Sequence, residues 1–233
     1  MLRDNSFAVG RLKIFDSPVL LEVSASSRPS ERSVVLSIGF ATVAVAGFVV
    51  VLLAEFPLCI GLVFENIALG KPTFQSNPYI SHIFPHSLFD SGKAVDRLKT
   101  NLSGFGGECT LSDNGHKIAT WLVNLKSIHS IHDIKIYYRT DNAPWGPSNG
   151  YTARFLGFYV YISNTTSRHD GHLCFHDTMY TNATIPAVVN ITCPVHGQYV
   201  IYYNERPQMS HAHASELSSY AHTELCELEV HGR

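Results

Sequence analysis

The stretch Asp133-Ile-Lys-Ile-Tyr-Tyr-Arg139 alternates without a break. In an extended chain Ile134, Ile136 and Tyr138 fall on one face and Lys135, Tyr137 and Arg139 on the other, the period of a strand with one buried side. Working outward, residues 155–162 are apolar on both faces, the pattern of a strand inside a sandwich. Gln198-Tyr-Val-Ile-Tyr-Tyr203 and Leu225-Cys-Glu-Leu-Glu-Val230 add two more aromatic and β-branched runs. Asp113-Asn-Gly115, Asn142-Ala-Pro-Trp-Gly-Pro-Ser-Asn-Gly150 and His196-Gly197 read as turns between such runs. No long amphipathic helical stretch interrupts the series. Short strands punctuated by Gly, Pro and Asn predict an all-β sandwich or jelly roll over residues 66–233.

Composition narrows the function. The 233 residues carry 17 Lys+Arg against 19 Asp+Glu, a net charge of -2, and no basic stripe. That excludes a nucleic-acid partner, whose phosphates need clustered cations. Hydrophobic residues make up 45%, enough to support a core and to exclude global disorder. No internal repeat, nucleophile elbow, H-E-x-x-H, P-loop or dinucleotide fingerprint is present, so an enzyme is not expected.

Residues 34–53 contain no charged side chain. At about 1.5 Å per residue, this run spans roughly 30 Å as a helix, the thickness of a hydrocarbon core. A polar tail precedes it and no clean small-x-small cleavage site follows, which favours a retained signal anchor over a cleaved signal and secretion. Arg28 and Arg32 lie before the run, and the next basic residue is Lys71. The positive-inside bias places the N-terminus in the cytoplasm and the C-terminal part outside, as a single-pass type II protein. The expected organisation is a disordered cytoplasmic tail (1–33), a transmembrane signal anchor (34–54), a juxtamembrane segment (55–65) and an extracellular domain (66–233).

Cys109, Cys174, Cys193 and Cys226 form an even set with three possible connectivities, and Cys59 stands apart near the membrane exit. No C-x2–4-C pair supports zinc, so these residues read as disulfides of an oxidising compartment. Four sequons agree: Asn101-Leu-Ser, Asn164-Thr-Thr, Asn182-Ala-Thr and Asn190-Ile-Thr.

Several ordered motifs resemble one family. Asn66-Ile-Ala-Leu-Gly-Lys-Pro-Thr-Phe-Gln-Ser76 is similar to the opening strand of discoidin-like domains, the coagulation-factor C-type sandwich. Ala94-Val-Asp96 and Glu224-Leu-Cys-Glu-Leu-Glu-Val230 resemble later segments of the F-type lectins, or fucolectins, and their tachylectin-like relatives. The resemblance covers residues 66–233 and implies an eight-stranded jelly roll, preceded here by one transmembrane helix. It also implies the pairings Cys109–Cys226 and Cys174–Cys193, a structural Ca2+ and, in many members, binding of L-fucose.

For the cation the resemblance points to the carboxylates of Asp96 and Glu227 and the Cys226 carbonyl. The loop after Asp96 would complete the set with the Leu98 carbonyl and with Thr100 or Asn101. Carboxylates mixed with carbonyls suit a hard cation taking about 6–8 oxygens. The family often has Asn three residues before the Asp; here Lys93 stands there.

For the sugar, Arg139-Thr-Asp141 matches the family's Arg-x-Asp, with Asp141 orienting a guanidinium that donates to sugar hydroxyls. The family's His falls at Leu111, with His116 displaced along the chain, and the second cation falls in a changed loop whose nearest substitute is Arg154. An exposed Arg–Asp ion pair of no functional consequence is the competing interpretation of Arg139 and Asp141. All 13 histidines lie in the C-terminal domain, and His211-Ala-His213 with nearby His222 reads as surface histidine rather than a metal site.

Two functions follow. One is a membrane-anchored lectin for fucose-type glycans on cell or microbial surfaces. The other is an adhesion or receptor module that has kept the scaffold and lost the sugar pocket. Single sugar sites are weak, so a lectin of this kind is expected to oligomerise with its own copies.

Overall fold

The computed structural model describes residues 64–206 and 216–233 and, before them, the backbone of four short strands. The chain divides into two compact units, Met1–Gly61 and Leu62–Arg233. In the first, β1 (Arg11–Ile14) pairs with β2 (Ser17–Leu20), and β3 (Val43–Val45) pairs with β4 (Phe48–Val50). The tail, membrane span and juxtamembrane segment expected before residue 66 lie for the most part outside the described residues, as do His211 and His213. Among the described residues no helix is long and apolar enough to cross a membrane.

The second unit holds eight antiparallel strands. They are β5 (Glu65–Asn66), β6 (Thr73–Gln75), β7 (Ile118–Tyr138), β8 (Tyr159–Ser163), β9 (His172–His176), β10 (Val188–Thr192), β11 (His196–Glu205) and β12 (Leu225–Gly232). Strand β7 organises them. Its first half pairs with β6 and β11, and its second half pairs with β10 and β12. Two sheets result, β6-β7-β11-β8-β9 and β5-β12-β7-β10, with β7 crossing from one to the other. Lys126 takes a φ of 77° where the inward alternation is interrupted.

The sequence pattern and the structure agree on the buried face. Ile134, Ile136 and Tyr138 are all 0% exposed, and they meet Trp121, Val123, Phe158, Val160, Val200, Tyr202, Leu228 and Val230 between the sheets. Burying each such side chain stabilises the fold by about 1.5–3 kcal/mol. Tyr138 stacks on Phe155 with centroids 4.1 Å apart, and Phe158 stacks on Tyr202 at 5.4 Å.

Three local readings are corrected. The strands are not all short, because β7 runs for 21 residues. Apolar residues at 119–125 and again at 131–138 give it a buried face in each sheet in turn. Residues 155–162 are not one strand, since Thr152–Phe155 forms a single helical turn, α1, and the strand begins at Tyr159. Gly157, at a φ of 74°, makes the break between them, a conformation that an L side chain resists. His196-Gly197 is not a turn but the start of β11, with a register shift between Gly197 and Tyr199. A Cβ at Gly197 would collide with Ile162 on neighbouring β8.

Both disulfides implied by the resemblance are present. Cys109–Cys226 joins the loop before β7 to the last strand across a separation of 117 residues, and Cys174–Cys193 spans 19.

Candidate functional site

At the end of β7 the backbone leaves the sheet at Arg139. Alternation places this side chain on the outward face, yet it is only 7% exposed. The loops on either side enclose it. The N–H groups of Thr140 and Asp141 donate to the Leu102 carbonyl, and Leu102 N–H donates to Asn142 Oδ1 at 2.9 Å. These bonds hold Asp141 and Asn142 at φ values of 52° and 55°, left-handed positions that Asp and Asn tolerate best among side-chain-bearing residues. Gly104 lies flat against the guanidinium; a Cβ there would stand 2.6 Å from Arg139 Nε.

The Arg139 guanidinium is fully oriented. Nε donates to Asp141 Oδ1 at 2.7 Å, and Nη2 donates to Asp141 Oδ2 at 3.2 Å and to the Tyr151 hydroxyl at 2.8 Å. Nη1 donates to Glu224 Oε1 at 3.0 Å. Tyr151 in turn donates to Asp141 Oδ2 at 2.5 Å. Burial raises the Asp141 carboxyl, but the bonds from Arg139, Tyr151 and the Gly104 N–H outweigh it and hold the group at about 2. The pair is therefore part of a partly buried network, not the exposed ion pair of no consequence that the sequence also allowed.

Arg154 belongs to the same network. Its Nη1 donates to both Glu224 oxygens, at 2.8 and 2.9 Å. The Tyr151 ring centroid lies 4.1 Å from the Arg139 guanidinium carbon and 4.9 Å from that of Arg154, so one aromatic ring serves both cations. The Arg154 side chain is 25% exposed, whereas that of Glu224 is 3% exposed. The structure thus brings Arg139, Asp141 and Arg154 together around Tyr151 and Glu224. His116 is exposed in the loop before β7, where its carbonyl accepts the Ala221 N–H. Leu111 is buried.

The histidine nearest these charges is one that the sequence reading left on the surface. His222 is 2% exposed, and its Nδ1 is buried without a partner among the described residues. Burial, then the positive charges of Arg154, Arg206 and Arg139, push its imidazole down to about 3, so the ring is neutral. Arg206 is enclosed beside it. Its N–H groups donate to the carbonyls of Ala153, Arg154, Leu156, Glu205 and Ser218 and to the side chains of Asn204 and Ser218. Tyr151, Glu224, His222 and Arg206 carry no local motif. The only sequence signal for Glu224 is its place two residues before Cys226, in the last-strand motif.

The residues expected at the cation site separate into two groups. Glu227 is 0% exposed; its Oε2 accepts the Arg97 N–H at 3.0 Å, and its Oε1 is buried without a partner among the described residues. Burial pushes its carboxyl up to about 8 against the pull of the Arg97 N–H and Lys99, and the like charges of Asp96 and Glu229 add to the rise. Asp96 Oδ1 accepts the Leu98 N–H at 2.9 Å, so Asp96 and Leu98 share a turn beside Glu227. Thr100 and Asn101 are instead held by Glu108 Oε2, which accepts their N–H groups at 2.6 and 2.8 Å. Cys226 is buried in its disulfide. An orphaned carboxylate oxygen whose group feels the charge of a second carboxylate, Asp96, fits a hard dication, which favours such oxygens. Among the described residues no three His, Cys, Asp or Glu gather as a metal group, so backbone or hydroxyl oxygens would have to complete the set.

Of the sequons, Asn164 and Asn190 are exposed. Asn101 is half-buried, its Oδ1 accepting from the Ser103 N–H and from Asn142 Nδ2. Asn182 is half-buried and tied through its N–H to Glu216 Oε2 at 2.9 Å.

No protein-family model and no curated protein matches the sequence. Solved structures do match. A fucose-binding module from Streptococcus pneumoniae aligns with a TM-score of 0.52 at 23% identity, over 73% of this chain and 96% of that one. A fucolectin from the serum of striped bass, Morone saxatilis, aligns with a TM-score of 0.52 at 22% identity, over 72% of this chain and 49% of that one. The lectin domain of lectinolysin, complexed with Lewis B antigen, aligns with a TM-score of 0.50 at 18% identity, over 71% of this chain and 95% of that one. These likenesses establish the fold of the second unit.

Proposed function

We propose that the chain is an F-type-lectin-like, non-catalytic protein that binds glycans at the Arg139–Arg154 cluster. The observation that carries this reading is the pair of guanidiniums set against one Tyr151 ring and oriented by Asp141 and Glu224. Arg139 anchors the cluster, and Arg154, whose Nε and Nη2 have no partner among the described residues, presents its N–H groups to the ligand. Sugar hydroxyls accept from such fixed donors. Support also comes from three solved structures of this fold whose names or ligands concern fucose or a Lewis antigen.

Ca2+ is proposed as a structural ligand. Asp96 and Glu227 supply carboxylates, and the Leu98 and Cys226 carbonyls, with Thr100 or Asn101 from the neighbouring Glu108-bound turn, are the oxygens the family resemblance implies to complete the set. An ion held by Asp96 and Glu227 would tie the loop after residues 91–95 to β12. Residues 34–54 anchor the protein in a membrane, with the lectin-like unit outside, where its disulfides and sequons belong.

The test is to apply the full-length chain to an array of fucosylated and non-fucosylated glycans, with Arg154→Ala alongside. Selective binding to fucosylated glycans that Arg154→Ala abolishes supports the reading; absence of any glycan signal rejects it. One observation favours the second reading, an adhesion module without a sugar pocket: every Arg139 nitrogen already has a partner within the protein. A full-length chain that binds no glycan but still binds cells would select it.

A further inference from the structure

Two guanidiniums on one aromatic ring would ordinarily attract a carboxylate or a sulfate, because the planar fork pairs with such groups through two parallel hydrogen bonds. In this chain that position is taken. Glu224 Oε1 accepts from Arg139 at 3.0 Å and from Arg154 at 2.8 Å, and Oε2 accepts from Arg154 at 2.9 Å. Burial pushes the Glu224 carboxyl up, and against it all three bonds come from guanidinium N–H groups of Arg154 and Arg139, which favour the charged form. The residue is 2% exposed and is anchored two positions before the disulfide-bonded Cys226, so it is not free to swing into water.

Resting on the reading of this cluster as a glycan site, we infer that Glu224 restricts the site to uncharged glycans by acting as an internal counter-ion. Arg139 and Arg154 are balanced by Asp141 and Glu224, two charges of each sign. Arg206, the third cation close by, is enclosed by carbonyl and side-chain acceptors and has no N–H left for a ligand. His222 is neutral and adds no positive charge. An anionic sugar substituent reaching Arg154 would meet a cation already paired with a buried carboxylate. Displacing that carboxylate would leave it charged and unpaired inside the protein. A neutral hydroxyl needs no such displacement, because it accepts from the remaining Arg154 N–H groups and leaves the Glu224 pair intact.

The experiment uses the full-length chain and two probes, a neutral fucose-terminated trisaccharide and the same trisaccharide sulfated on the fucose. The wild type should bind the neutral probe at least tenfold more tightly than the sulfated one. Glu224→Gln keeps the shape and removes the charge, and should shrink or invert that ratio by at least tenfold. Equal wild-type affinities, or a ratio unchanged in Glu224→Gln, would overturn the inference while leaving the sugar site standing. A wild type that binds neither probe would overturn the sugar reading and this inference with it. If Glu224→Gln does not fold, competition against the wild type decides: sulfated fucose competing as well as fucose refutes the inference, and competing at least tenfold worse upholds it.

Discussion

Arg154 and Glu224 stand 70 residues apart in the chain, yet one guanidinium nitrogen lies 2.8 and 2.9 Å from the two carboxylate oxygens. The contact ties α1, in the loop after β7, to the segment leading into β12. Arg139, at the end of β7, shares the same carboxylate. Three segments that are remote in sequence thus meet at one buried acid, and removing it should be felt by all three.

Glu224→Ala should therefore destabilise the protein strongly, because it leaves buried cations short of a partner. Breaking a buried pair from one side costs about 3–5 kcal/mol. Urea unfolding of the full-length chain measures it; a loss below about 1 kcal/mol would mean that the network contributes little.

Gly104→Ala tests the packing of the loop against the guanidinium. The new Cβ would stand 2.6 Å from Arg139 Nε, so either the loop or the arginine must shift. Overpacking of this kind costs about 1–3 kcal/mol, and the displaced Arg139 should weaken glycan binding at least tenfold. Calorimetry and a binding titration of one preparation separate the two effects.

The contributions of His222 and Asp141 to stability should be lost in two stages on acidification. The His222 imidazole is near 3 when folded against an ordinary 6.5, so the unfolded chain takes up the proton first and stability falls as pH drops from about 6.5 toward 3. The Asp141 carboxyl is near 2 against 3.8, so its contribution is present above about pH 4 and is lost as pH falls toward 2. His222→Gln should flatten the upper stage and Asp141→Asn the lower. Glu227, with its carboxyl pushed up to about 8, works the opposite way between pH 8 and 4.5, so the readout is the difference between each variant and the wild type. Denaturant midpoints across this pH range report it; a wild-type minus His222→Gln difference that stays constant from pH 7 to 3 would contradict the His222 assignment.

Calcium should raise the melting temperature. A ligand that binds only the folded state adds about 2.7 kcal/mol at a hundredfold excess over its Kd. Asp96→Ala and Glu227→Gln should each abolish the rise, while Arg139→Ala leaves it in place. Scanning calorimetry with and without chelator decides, and a wild-type curve that chelation does not move would remove the ion from the proposal.

The two disulfides should differ in value. Cys109–Cys226 closes a separation of 117 residues and Cys174–Cys193 only 19. On chain entropy these correspond to about 4.9 and 3.2 kcal/mol, so replacing the first pair with serines should cost more. Equal losses in urea would point to native-state contacts rather than the unfolded chain.

Much of the fold was legible in residues 133–139 and the similar runs beyond them, because a buried sheet face imposes a period of two on neighbouring residues. Ile134, Ile136 and Tyr138 sit in the core as their spacing requires. The one-turn helix at Thr152–Phe155 was not legible, because apolar residues flanking a glycine give the same composition in a strand as in a turn leading into one. The site was half legible. Arg139-Thr-Asp141 is a local motif and could be read as one, whereas Arg154 was reachable only as the nearest cation beyond a longer loop.

Local chemistry in the sequence alone thus determined the all-β class, the inward face of the central strand, the four cysteines available for pairing and the Arg-x-Asp element. These depend on residues a few positions apart, whose relationship survives any arrangement of the rest. Only the tertiary structure decided that Arg139 is buried on a face that alternation assigns to solvent, that Tyr151 lies under both cations and that Glu224 hydrogen-bonds both of them. It also decided that His222 is enclosed and neutral. Such contacts join segments as much as 85 residues apart, and they form only when the two sheets close and the loops at one end are pressed together.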